Sequence, residues 1–123
     1  MQGVPLPYIL GHWDFFGRTF TITPHVLIPR PETELLVERA IDHARRIPNP
    51  LIADVGTGSG AIAVSLSAEL PKAKIIAMDV SREALAVARK NAQQHQQTRI
   101  GFVQSDLMSP FKAKFDLICA NLP

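Results

Sequence analysis

The apolar residues fall into short runs separated by amphipathic stretches, and the two kinds alternate along most of the chain. Leu51-Ile52-Ala53-Asp54-Val55 is a near-continuous apolar run between a proline and a glycine, which predicts a fully buried strand. Lys74-Ile75-Ile76-Ala77-Met78-Asp79, Arg99-Ile100-Gly101-Phe102-Val103 and Phe115-Asp116-Leu117-Ile118-Cys119-Ala120 predict three more. Between the first two lies a helical stretch from about Gly60 to Leu70, stopped by Pro71; between the next two, Ser81 is placed to cap a helix running to about Gln94. A loop with Asp106, Met108 and Pro110 leads to the fourth strand. Strand–helix–strand repetition at this spacing implies a mostly parallel sheet with right-handed crossovers.

Ahead of the first strand, Leu36, Ala40, Ile41, Ala44 and Ile47 recur at helical spacing, predicting a helix over roughly 32–46. Pro31 suits its first turn, Glu32 and Glu34 its positive end, and Arg45 and Arg46 its negative end. Pro48 and Pro50 stop it. Residues 1–31 read differently. Tyr8–Trp13 and Phe20–Thr23 are rich in aromatic and β-branched residues and flank Phe16-Gly17, which predicts a β-hairpin. The organisation is therefore a hairpin and linker over 1–31, then an α/β unit over 32–123.

Composition narrows the class. With 123 residues, 46% hydrophobic and 20% charged, the chain has the make-up of one globular domain. No apolar run approaches the length of a membrane span, and nothing at the start resembles a signal peptide. The single cysteine, Cys119, excludes an internal disulfide and fits a reducing cytoplasm; it lies in the apolar fourth strand as a core residue. The net charge of +2 comes from scattered basic residues rather than one basic face, so direct nucleic-acid contact is not expected. His12, His25, His43 and His95 are dispersed and lack metal-ligand spacing.

The candidate chemistry sits where strands end. Asp54-Val55-Gly56-Thr57-Gly58-Ser59-Gly60 joins a buried strand to a helix. Glycines there let a ligand approach the backbone closely. The spacing is G-x-G-x-G rather than the G-x-G-x-x-G of dinucleotide folds. A carboxylate just before the loop, Asp54, suits the cationic amino group of an amino-acid ligand better than a pyrophosphate. A structural tight turn is the bland alternative, and the flanking strand and helix weigh against it. Asp79 ends the second strand, nineteen residues after Gly60, where a carboxylate can accept hydrogen bonds from both ribose hydroxyls. Asp106 follows the third strand and can accept from an adenine amine, with Leu107 as an apolar wall; a plain loop aspartate is the competing reading. Amino acid, ribose and adenine together describe S-adenosylmethionine. Asn121 follows the fourth strand. Its side-chain oxygen and the Leu122 carbonyl can each accept an N–H bond from a planar amide or amine, with Pro123 shaping the turn.

Ile28-Pro29-Arg30-Pro31-Glu32-Thr33-Glu34, the Asp54–Gly60 loop, Asp79-Val80-Ser81, Asn121-Leu122-Pro123 and the Tyr8–Gly11 opening together resemble the peptide chain release factor glutamine methyltransferases of the HemK type. The resemblance implies a Rossmann-like methyltransferase core, of which 32–123 is the N-terminal part with its first four strands. It implies methylation of the glutamine amide in the Gly-Gly-Gln loop of release factors. By position, Gly56, Thr57, Gly58, Ser59 and Gly60 with Asp54 hold the methionine part of the cofactor. Asp79 with Val80 takes the ribose, Asp106 and Leu107 flank the adenine, and Asn121 orients the substrate amide beside Leu122 and Pro123. The Arg30–Glu34 stretch lies close to the pocket.

The family reads Asn-Pro-Pro-Tyr where this chain has Asn-Leu-Pro, and its N-terminal helical domain and last three strands have no counterpart here. The chain is then expected to be a fragment, with the acceptor side of its site unfinished. Two other readings stand beside it: an adenine amino-group methyltransferase acting on RNA or DNA, for which Asn-Leu-Pro is suggestive, and a cofactor-binding module without turnover. The glycine spacing disfavours a nicotinamide dehydrogenase. The fourth strand is expected to present an apolar edge through which the chain self-associates.

Overall fold

A computed structural model describes residues 11–28, 30–105 and 115–120. Two short strands, β1 (His12–Phe15) and β2 (Arg18–Thr21), pair antiparallel around Phe16-Gly17. Both turn residues have positive φ, 49° and 77°, the conformation that matches a two-residue turn to the twist of its strands. The hairpin is not an appendage. Phe15 and Phe20 are buried in the same hydrophobic cluster as the helices and the main sheet.

The α/β part contains α1 (Glu32–Ala44), β3 (Leu51–Val55), α2 (Ala61–Glu69), β4 (Lys74–Asp79), α3 (Arg82–Gln94), β5 (Gly101–Gln104) and β6 (Leu117–Ala120). Four parallel strands lie in the order β5-β4-β3-β6, so the expected parallel sheet with a preceding hairpin is present. Side chains alternate across it. Ile52, Ile75, Ala77 and Cys119 join the large core with the three helices. Ala53, Val55 and Met78 pack on the other face with Ile76, Val103 and Phe115. The central strand β3 is thus buried on both faces, which is why its sequence is apolar at every position but Asp54.

Helix α2 is buried from Ala61 through Ser67, consistent with its apolar residues all round. Helix α3 starts as expected: the Ser81 hydroxyl accepts from the Ala84 N–H at 3.1 Å. It ends with Gln96 at φ 59°, the Gln97 N–H donating to Ala92 and the Gln96 N–H to Gln93, the pattern of a Schellman cap. Helix α1 ends at Ala44, two residues before the expected stop, and its buried stripe is Thr33, Val37, Ala40, Ile41 and Ala44. Leu36 only packs partly against the core, because the stripe is centred on Val37. β6 starts at Leu117 rather than Phe115. The Asp116 carboxylate takes the Leu51 N–H at 2.8 Å and its own N–H goes to the Leu51 carbonyl, so regular pairing begins one residue later.

Candidate functional site

Strand order reverses at β3, which has β4 on one side and β6 on the other. In open α/β sheets, ligands bind beyond the carboxyl ends of the strands at such a reversal. The glycine loop leaves β3 at this point. Gly56 is exposed and Gly58 half-buried, while Thr57, Ser59 and Gly60 are buried. Gly56, Gly58 and Gly60 all have positive φ, at 68°, 55° and 82°. Two of these glycines do different jobs. A Cβ on Gly60 would lie 3.0 Å from the Ala88 Cβ and 3.1 Å from its Cα, so this glycine lets α3 pack against the loop. A Cβ on Gly58 would meet nothing closer than 4.0 Å, so here the bare backbone leaves room.

Asp54 supports the loop from below. It is fully buried, between Ala77 and Cys119 in the sheet register. Its Oδ2 accepts from the Thr57 hydroxyl at 2.7 Å and from the Ala63 N–H at 3.2 Å. Ala63 lies in the first turn of α2, and Gly60 offers that helix no side-chain cap. The strand aspartate therefore satisfies an end amide that a local cap would ordinarily take. Burial pushes its carboxyl from the ordinary 3.8 up to about 7; the bonds from Thr57 and Ala63 oppose this, and the charge of Asp79 adds to it. Its Oδ1 is buried without a hydrogen-bond partner among the described residues. An unpaired buried carboxylate oxygen calls for a donor, and a ligand's cationic amino group is one that fits. The neighbouring Cys119 thiol is pushed up to about 12, by burial first and Asp54 second, so it is no nucleophile.

Asp79 closes the other side of the loop. Its Oδ2 accepts from the Gly58 N–H and its Oδ1 from the Ser81 N–H, both at 3.0 Å. Each oxygen keeps acceptor capacity for a ligand hydroxyl. Val80 follows, an apolar side chain 65% exposed at the strand end. Eight expected site residues are thus gathered: Asp54, the five of the glycine loop, Asp79 and Val80. The side chains of Thr57 and Ser59 are buried, which leaves the loop backbone to face a ligand. Asp106, Leu107, Asn121, Leu122 and Pro123 lie outside the described residues. The register pairs Val55 with Ala120, so β6 ends level with the start of the glycine loop.

Some residues of this region carried no obvious signal. Asn91 of α3 bonds to the loop and to the hairpin. Val26 and Leu27 pass beside Gly58. Glu34, expected only to favour a helix end, accepts the Phe16 N–H at 3.2 Å and ties α1 to the hairpin turn. The one available hint was an asparagine in a helix interior, where it is a weak helix former. Clefts of about 260 and 300 Å³ open around Pro50, Ala73 and Glu38, Glu69, at the opposite end of the sheet from the loop. Among the described residues, no group of three or more His, Cys, Asp or Glu is placed to hold a metal, and no helix is long and apolar enough to cross a membrane.

A family model described as the methyltransferase small domain matches residues 31–123. The chain is 46% identical over 124 residues to the release factor glutamine methyltransferase of Koribacter versatilis (strain Ellin345), covering 99% of this chain and 44% of that protein. It is 45% identical over 134 residues to the one from Chlorobaculum tepidum, covering 100% of this chain and 46% of the other. It therefore spans less than half the length of these curated relatives. Among solved structures, a ribosomal protein L11 methylase from Lactobacillus delbrueckii subsp. bulgaricus is similar at TM-score 0.67 and 31% identity, over 82% of this chain and 51% of that one. A dimethyladenosine transferase from Plasmodium falciparum shares the fold at TM-score 0.60 and 23% identity, over 79% and 34%. The chain belongs to the methyltransferase small domain family, and within it is similar to proteins named release factor glutamine methyltransferase.

Proposed function

We propose that this chain is the cofactor-binding part of an S-adenosylmethionine-dependent methyltransferase acting on the glutamine amide in the Gly-Gly-Gln loop of peptide chain release factors, in the cytoplasm. The observation that carries the reading is the glycine loop at the strand-order reversal, its Gly58 amide held by Asp79. The relatives' names supply the substrate class. S-adenosylmethionine supplies an electrophilic methyl group on a sulfonium. The open backbone at Gly56 and Gly58 receives its methionine part, and the unpaired Asp54 oxygen accepts from its amino group. Asp79 accepts from the ribose, with Val80 beside it and Asp106 and Leu107 around the adenine. By the resemblance, Asn121 with Leu122 and Pro123 would take the acceptor amide by its N–H groups. An amide nitrogen is a weak nucleophile, so this chain's contribution is orientation and charge rather than a base.

The test is transfer of labelled methyl from S-adenosylmethionine to a release factor, to the same factor with its Gly-Gly-Gln glutamine replaced, and to ribosomal RNA. The Koribacter relative serves as positive control. Label on the intact release factor alone is expected. Label on RNA instead would support the adenine reading suggested by Asn-Leu-Pro. Cofactor binding with label on neither substrate would make the chain a binding module.

A further inference from the structure

We propose that Asn91 is a positioning residue that locks the glycine loop to the β-hairpin and makes the segment leaving the hairpin a wall of the cofactor crevice; this rests on reading the glycine loop as the cofactor loop. Asn91 lies inside α3 and is fully buried. Its Oδ1 accepts from the Thr21 N–H at 2.7 Å. Its Nδ2 donates to the Thr21 carbonyl and to the Ser59 carbonyl, each at 2.8 Å. Both donors are therefore spent, one on the last residue of β2 and one on the glycine loop. A buried amide so satisfied specifies one arrangement of the parts it joins, because any other leaves it unpaired.

The Ser59 carbonyl belongs to the peptide that enters Gly60, at φ 82°, and Gly58 before it is at 55°. Fixing that carbonyl restricts the loop between two of its three left-handed glycines. Beyond Thr21, Ile22 and Val26 bury against Ala84 and Val87 of the same helix. Val26 Cβ and the Leu27 carbonyl come within 4.0 Å of the position of a Gly58 Cβ. The Leu27 side chain is 58% exposed. One face of α3 thus carries the hairpin end, the segment after it and the loop. Two further hairpin contacts show the difference. Arg18 pairs with Glu69 at 2.9 Å and the Thr21 hydroxyl donates to Gln94 at 3.3 Å, and neither pair includes a glycine-loop residue.

The test compares S-adenosylhomocysteine affinity and amide hydrogen exchange at Gly58 and Gly60 in wild type, Asn91→Ala, Asn91→Asp and Arg18→Ala. Asn91→Asp keeps the size and the acceptor for Thr21 but keeps at most one of the two donors, and it decides the matter if the alanine variant does not fold. Loss of buried donors is expected to weaken binding about tenfold or more and to speed exchange at both glycines. Arg18→Ala, which loosens the hairpin only, is expected to stay within about twofold of wild type. A folded Asn91 variant with wild-type affinity and unchanged exchange overturns the proposal, as does an equal loss of affinity in Arg18→Ala. A wild-type chain that binds no ligand sinks the cofactor reading instead. The lock is then judged on exchange alone, and unchanged protection in Asn91→Asp overturns it.

Discussion

Gly58 and Gly60 share a left-handed backbone but differ in their surroundings, and that difference is measurable. Gly58→Ala adds a methyl to open space, so its cost is the conformational one, about 1–2 kcal/mol. Gly60→Ala pays the same and also pushes against the Ala88 backbone, for a total of about 2–5 kcal/mol. Denaturant unfolding should rank them in that order, while cofactor affinity should fall in Gly58→Ala despite its milder effect on stability. Asp54 gives a pH prediction. Its carboxyl is raised from 3.8 to about 7, so the folded chain keeps a proton that the unfolded chain releases. The contribution favours folding most below pH 4 and is lost as pH rises to 7. Asp54→Asn removes this dependence. Without ligand, the variant should gain on wild type across that interval, by at most about 4 kcal/mol. A constant stability difference between the two from pH 4 to 7 would contradict the assignment. The presence of Asp54 at the site was legible from its place before a glycine loop. Its bond to Ala63 was not, because a helix cap supplied from a strand nine residues earlier has no local signature.

At the level of elements, the period of the apolar pattern revealed most of the sheet and the three helices of the described residues. β3 was readable because burial on both faces favours a near-continuous apolar run, interrupted only at Asp54. α1 was readable in existence but not in orientation, since several apolar residues on neighbouring sides compete for the stripe and only tertiary packing chooses Val37 over Leu36. The start of β6 was set by Asp116, a side-chain bond that periodicity does not register. The end of α3 offers a stabilising change. Gln96 is an exposed non-glycine residue at φ 59° in a Schellman cap. Gln96→Gly should raise stability by about 1 kcal/mol in denaturant unfolding, because glycine bears no left-handed penalty. No gain would mean that this cap is not formed in solution.

On the scale of the whole molecule, four parallel strands in the order β5-β4-β3-β6 place every gathered site residue at one end of the sheet, and the clefts around Pro50 and Glu38 lie at the other. Sequence spacing implied a parallel sheet but not this order, which depends on which side of β3 the fourth strand docks. Among the described residues β6 pairs only with β3, and Ile118 on it is 38% exposed. The glycine loop with Asp54 and Asp79 is proposed to bind S-adenosylmethionine. Calorimetric titration of the chain with that cofactor and with its demethylated product tests it most directly. Saturable binding of one ligand per chain, weakened by Asp79→Ala, is expected; no heat from either ligand at millimolar concentration would contradict this assignment.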